Sequence, residues 1–136
     1  MATQIFVNLP VKDLNRSIAF FTKLGYTFNP QFTNEDATCM IIAENIYAML
    51  LTEPFFKTFT KKEICDTGKH IEAIIALSAD SRDAVDILAN KAMEAGAVEP
   101  KPTSDMGFMY TRSFEDPDGH LWEIFHMDLS AMPQNN

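Results

Sequence analysis

Residues 115–127 read EDPDGHLWEIFHM. Asp116-Pro117-Asp118-Gly119 forms a turn with Pro second and Gly fourth, as a type I turn prefers. A strand expected at 120–127 follows, and it carries one acid, Glu123, among Leu121, Trp122, Ile124 and Phe125. Successive strand residues face opposite ways. Trp122 and Ile124 suit a helix-covered side, so Leu121, Glu123 and Phe125 share the other. A carboxylate there could ligate a metal ion. It could also act as a general base that takes a proton next to a carbonyl, or sit in an ion pair. An unpaired buried carboxylate is very costly, and Arg112, in the preceding strand FMYTRSF, is the expected partner. Phe108, Tyr110, Arg112 and Phe114 share one face of that strand; Met109, Thr111 and Ser113 share the other. The sequence leaves open which set lies on the side of Glu123.

The remaining reactive residues are more scattered. His120 follows the turn glycine and is expected at an exposed strand end. His126 has the opposite parity to Glu123, so the two are not expected to share an ion. His70 stands in a polar connection with no partner to name. Cys39, in the apolar run TCMII, reads as a buried structural thiol; with Cys65 it makes neither a disulfide framework nor a zinc site. No nucleophile elbow, phosphate loop or dinucleotide fingerprint appears. The eight methionines fill core gaps, with Met106 and Met109 near Gly107 placed to line a cleft mouth.

The elements that position these residues repeat. Residues 4–10 read as a strand stopped by Pro10. Asp13 caps a helix at 13–24, and Gly25 stops it. Strands are expected at 26–33, 38–43 and 46–52. Residues 54–71 form a polar connection with a little helix, in which Phe55, Phe56 and Phe59 pin the segment to the core. The pattern then starts again: a strand at 72–79, a helix capped by Ser81 or Asp80 and closed by Gly96, and strands at 97–101, 108–115 and 120–127. Leu9, Asp13 and Gly25 correspond to Leu77, Asp80 and Gly96. Residues 128–136 read as a flexible tail. This is an α+β chain with module one at 4–53, a linker at 54–71 and module two at 72–127, forming one domain over 1–127.

The net charge of −8 argues against nucleic acid, which needs a basic surface. No apolar run approaches a membrane span, and the first residues do not read as a signal peptide, so a cytoplasmic protein is expected.

A double βαβββ layout resembles the vicinal oxygen chelate superfamily, which includes glyoxalase I (lactoylglutathione lyase), extradiol dioxygenases and bleomycin-resistance proteins. LPVKDLNRSIAFFTKLGYTF at 9–28 and FEDPDGHLWEIFH at 114–126 carry the likeness. It implies two curved sheets around a concave cleft, helices on the outer faces, and a homodimer. In metal-dependent members one residue from the first and one from the last strand of each module holds the ion. Those positions fall here on Phe6, Leu50, Ile74 and Glu123. Three of the four are apolar, so no bound metal and no other cofactor is expected. The implied ligand is a small, mostly apolar organic molecule lying against Phe6, Asn8, Leu50, Ile74, Leu121 and Phe125, with Tyr110 and Arg112 as polar anchors. A resistance or sequestering role fits that picture. The alternative is a lyase or dioxygenase-type enzyme using Glu123 as general base or lone metal ligand. A third reading is a dimerisation module with a vestigial cleft.

Overall fold

The computed structural model describes residues 2–132. The chain divides into two compact units, Met1–Asp66 and Thr67–Asn136. The first contains strand β1 (Ile5–Val11), helix α1 (Leu14–Leu24), and strands β2 (Thr27–Asn29), β3 (Ala37–Ala43) and β4 (Ile46–Thr52), with a one-turn helix α2 (Glu53–Phe56) after them. The second contains β5 (Ile74–Ser78), α3 (Arg82–Glu94), β6 (Ser104–Asp105), β7 (Met109–Glu115) and β8 (Leu121–Met127). The sheet orders are β1-β4-β3-β2 and β5-β8-β7-β6. In each sheet the first and last strands pair in parallel and the other neighbours are antiparallel. The expected α+β chain of two βαβββ modules is therefore what forms.

Local chemistry sets the helix ends. Asp13 accepts a hydrogen bond from the Arg16 amide at 3.2 Å, and Ser81 accepts one from the Ala84 amide at 3.0 Å. Ser81, rather than Asp80, is thus the counterpart of Asp13, each four residues past its strand leucine. Gly25 and Gly96 take φ of 104° and 99° at the helix ends, a region open to glycine at little cost.

Burial then fixes which sheet face each helix covers. In the first unit Leu9, Val11, Ala48 and Leu50 are buried along with Leu14, Phe20, Phe21 and Leu24 of α1. In the second, Phe114 and Trp122 stack with ring centroids 6.4 Å apart, and both are buried with Ile124 and with Val85, Ala89 and Ala92 of α3. Each large side chain so buried contributes about 1.5–3 kcal/mol, more than helix propensity supplies.

Four boundaries differ from expectation. β1 runs through Pro10 to Val11 because it is an edge strand, where proline is tolerated. The strand expected at 26–33 shrinks to β2, since Asn29 caps a 3₁₀ turn at Pro30–Phe32 by accepting from the Gln31 amide at 2.9 Å. The strand expected at 97–101 is only a bridge between Val98 and Glu115; Pro100 and Pro102 cannot donate to a ladder, and β6 pairs with β7 instead. In the tail, Leu129–Ala131 forms a 3₁₀ turn capped by Asp128, while 133–136 lie outside the described residues.

Phe55 and Phe56 are half-buried, as a segment pinned to the core requires, whereas Phe59 is exposed and packs edge-on against Phe55 at 5.2 Å. No helix among the described residues is long and apolar enough to cross a membrane.

Candidate functional site

In the second unit Glu123 stands between Ala76 of β5 and Ser113 of β7. Leu121 stands between Ile74 and Glu115, and Phe125 between Ser78 and Thr111. Residues paired across strands project to the same side of a sheet. The face turned away from α3 therefore presents Ile74, Leu121 and Phe125 around Glu123, with hydroxyls from Thr111 and Ser113. Ile74 is 54% exposed at the β5 edge. The Ser113 hydroxyl is buried without a hydrogen-bond partner among the described residues.

Glu123 has a cation, but not the expected one. Lys101 Nζ lies 2.9 Å from Glu123 Oε1. The lysine is half-exposed, so the pair is worth about 0–1 kcal/mol; it sets local charge rather than stability. Arg112 and Tyr110 lie on the α3 side of the sheet. Arg112 donates to Asn90 at 2.7 Å and Asp86 at 3.3 Å, and sits 3.4 Å from Glu99. Tyr110 donates to Asp86 at 2.7 Å. The cause is strand parity. Phe114 must meet Trp122 under α3, and Tyr110 and Arg112 follow it to that side. Lys101 carried no sequence signal: it is flanked by two prolines, 22 residues from Glu123, in a stretch expected to be a strand.

In the first unit Phe6 stacks on Tyr47 with ring centroids 4.8 Å apart. Asn8 pairs with Met49, and its side-chain Nδ2 donates to the Phe6 carbonyl at 3.0 Å. These residues lie on the face turned away from α1. Leu50 does not join them, being fully buried with the α1-side residues. Asn8 corresponds to Ala76, the neighbour of Glu123, so Met49 takes the last-strand position expected for Leu50. The positions that the resemblance implies for an ion then fall on Phe6 and Met49 in the first unit and on Ile74 and Glu123 in the second. They provide one carboxylate, already paired with Lys101, and one thioether. Zinc, calcium and magnesium need several nitrogen, oxygen or thiolate donors, so these residues do not fit a metal ion. Among the described residues no group of three or more His, Cys, Asp or Glu is placed to hold one.

The start of β8 is held by a buried polar cluster. His120 is 2% exposed, against the expected exposed strand end, and its Nδ1 lies 2.5 Å from Glu72 Oε1. Asp116 accepts from Trp122 Nε1 at 3.0 Å and from the amides of Asp118 at 2.9 Å and His120 at 3.1 Å. Burial pushes the Asp116 pKa up, while His120 and these donors oppose the shift. The Thr67 hydroxyl donates to the Asp118 carbonyl. Gly119 has φ 78°, and a Cβ there would lie 2.6 Å from Thr67 Oγ1. The turn and the chain at 67–71 therefore fit closely together. Between them lies a cavity of about 270 Å³, lined in part by Lys69, His70, Ile71, Glu115 and Leu121.

His126 lies on the other face, as its parity requires. Its Nδ1 is 2.9 Å from the Ala79 carbonyl, which only accepts, so Nδ1 carries the proton. It borders a separate cavity of about 300 Å³ beside the start of α3. Cys39 is buried, and burial raises its thiol pKa. Met106 is exposed and Met109 half-buried at the Gly107 loop.

That loop is tied down by Arg82, which donates to Asp105 at 2.7 and 2.8 Å. The bond from Arg82, aided by the Gly107 amide, lowers the Asp105 pKa from 3.8 to about 2. A depressed acid pKa gives stability that is present above the unfolded value and lost as pH falls. Stability from this pair is expected to disappear between 3.8 and about 2. Urea unfolding across that window should show a shallower loss for Arg82→Gln than for the parent chain.

No curated protein matches the chain. Solved structures do. The hypothetical protein SA1046 from S. aureus is 26% identical, with a TM-score of 0.77 over 93% of this chain and 95% of its own. A glyoxalase/bleomycin resistance protein/dioxygenase family enzyme from Burkholderia phytofirmans PsJN is 18% identical, with a TM-score of 0.78 over 93% and 99%. The genomically encoded fosfomycin resistance protein FosX from Listeria monocytogenes is 19% identical, with a TM-score of 0.68 over 96% and 98%. The last two show likeness of fold alone. The family model for the Glyoxalase/Bleomycin resistance protein/Dioxygenase superfamily matches residues 4–124. With that match covering most of its length, the chain belongs to the glyoxalase/bleomycin resistance protein/dioxygenase superfamily.

Proposed function

We propose that this protein binds a small, mostly apolar organic molecule without a metal ion, on the face of the second sheet turned away from α3. The observation that carries the reading is the setting of Glu123. Apolar Ile74, Leu121 and Phe125 surround one carboxylate, and a lysine of the same chain, not a ligand set, neutralises it. Such a surface, apolar with few polar anchors, suits small-molecule recognition. Lys101 and Glu123 replace Arg112 and Tyr110 as the anchors. A sequestering or resistance-type role is the biological form of this reading. The homodimer and the cytoplasmic location belong to the same proposal, on the strength of the resemblance. So does the lack of a nucleic-acid partner, which the net charge of −8 supports.

The enzymatic alternative would use Glu123 as a base. The ion pair with Lys101 weighs against it, since one carboxylate oxygen is already engaged. The test is a titration with N-phenyl-1-naphthylamine, an uncharged apolar fluorophore. The expected result is a saturable rise in emission at one equivalent per chain. A linear, non-saturating response would contradict the reading.

A further inference from the structure

We infer that the cavity at the start of β8 takes a small zwitterion carrying an apolar side group, of the amino-acid type. The inference deepens the binding reading above and rests on it, since Leu121 belongs to both places. The cavity holds about 270 Å³, somewhat less than the roughly 300–1,000 Å³ of drug-sized sites. Its polar groups are of both signs. Lys69 and Glu115 are both among the residues that line it. Neither side chain makes an ion pair or a hydrogen bond among the described residues. His70, beside Lys69, has no side-chain partner among them either.

Two residues of opposite charge on one cavity, not paired with each other, suit a ligand that meets both. A simple anion would satisfy Lys69 and be repelled by Glu115. A simple cation would do the reverse. A molecule with a carboxylate and an ammonium a few bonds apart answers each with a charge-assisted hydrogen bond, and His70 can join at the carboxylate. Ile71 and Leu121 give the lining its large apolar side chains. Leu121 is the first residue of β8 and pairs with Ile74. A side group lying on it points along the apolar face already described. The close fit of Gly119 against Thr67 holds the 67–71 segment in place as the cavity wall.

Isothermal titration with three matched compounds tests this. L-Phenylalanine carries both charges, 3-phenylpropanoate lacks the ammonium, and phenethylamine lacks the carboxylate. L-Phenylalanine is expected to bind about tenfold tighter than either, since a charged hydrogen bond is worth about that factor. Glu115→Gln should reduce L-phenylalanine to the level of 3-phenylpropanoate, and Lys69→Met to that of phenethylamine. Circular dichroism melts of both variants would confirm that they fold. Equal affinity for the three compounds, or unchanged L-phenylalanine affinity in both variants, overturns the inference. If none of the three binds while N-phenyl-1-naphthylamine does, this inference alone fails. If the dye is also silent, the binding reading beneath it fails as well.

Discussion

Asp116→Ala is expected to lower the unfolding free energy by about 3–5 kcal/mol, because a buried donor left without its acceptor costs about 1–3 kcal/mol. Asp116 is 7% exposed and serves three donors: the Trp122 indole and the amides of Asp118 and His120. Removing its carboxylate takes this acceptor from all three and loosens the turn that starts β8. Asp116→Asn should cost less, about 1–2 kcal/mol, because one oxygen still accepts and a buried charge is removed. The pH response has the opposite sign to that of Asp105. Burial raises the Asp116 pKa above 3.8, so the folded state holds this proton more tightly than the unfolded chain, and stability from this group falls as pH rises through the interval between the two values. Urea unfolding of the parent and the two variants gives all three numbers. A change below about 0.5 kcal/mol for Asp116→Ala, the range of ordinary surface substitutions, would show that the turn does not depend on this residue.

Leu121→Asp is expected to weaken N-phenyl-1-naphthylamine binding by tenfold to a hundredfold. Burying a leucine against a ligand contributes about 1.5–3 kcal/mol, and each 1.4 kcal/mol is a factor of about ten. The new acid would stand beside Glu115 and two residues from Glu123, on the same face. Leu121 is only half-buried in the free protein, so the fold should survive with a modest loss. The matched control is Ile87→Asp, on an exposed position of α3, which should leave binding unchanged. Equal effects of the two substitutions would move the ligand away from this face.

Much of this architecture was legible in the sequence because its signals are local. Asp13 and Gly25 mark the ends of α1, and the Asp-Pro-Asp-Gly turn sets up β8. Alternation in LWEIF sorted Leu121, Glu123 and Phe125 from Trp122 and Ile124. What failed depended on partners far along the chain. Leu50 and Met49 differ by one residue in register, and only the pairing of Asn8 with Met49 decides which one turns from α1. Tyr110 and Arg112 followed Phe114 to the helix side, a choice that alternation alone leaves open. Lys101 reaches Glu123 from an irregular stretch between prolines, where no period applies. His120 stands next to a turn glycine, a typical exposed place, yet Glu72, 48 residues away, provides its buried partner.

We propose that the second sheet's far face works without a metal ion. The most direct measurement is the metal content of untagged protein, purified without chelators and analysed by inductively coupled plasma mass spectrometry. Well under a tenth of an equivalent of any divalent transition metal per chain is expected, because Phe6, Met49 and Ile74 leave Glu123 as the one oxygen donor of the four. One equivalent of zinc, nickel, manganese or iron, retained through gel filtration, would contradict it and return Glu123 to the role of ligand.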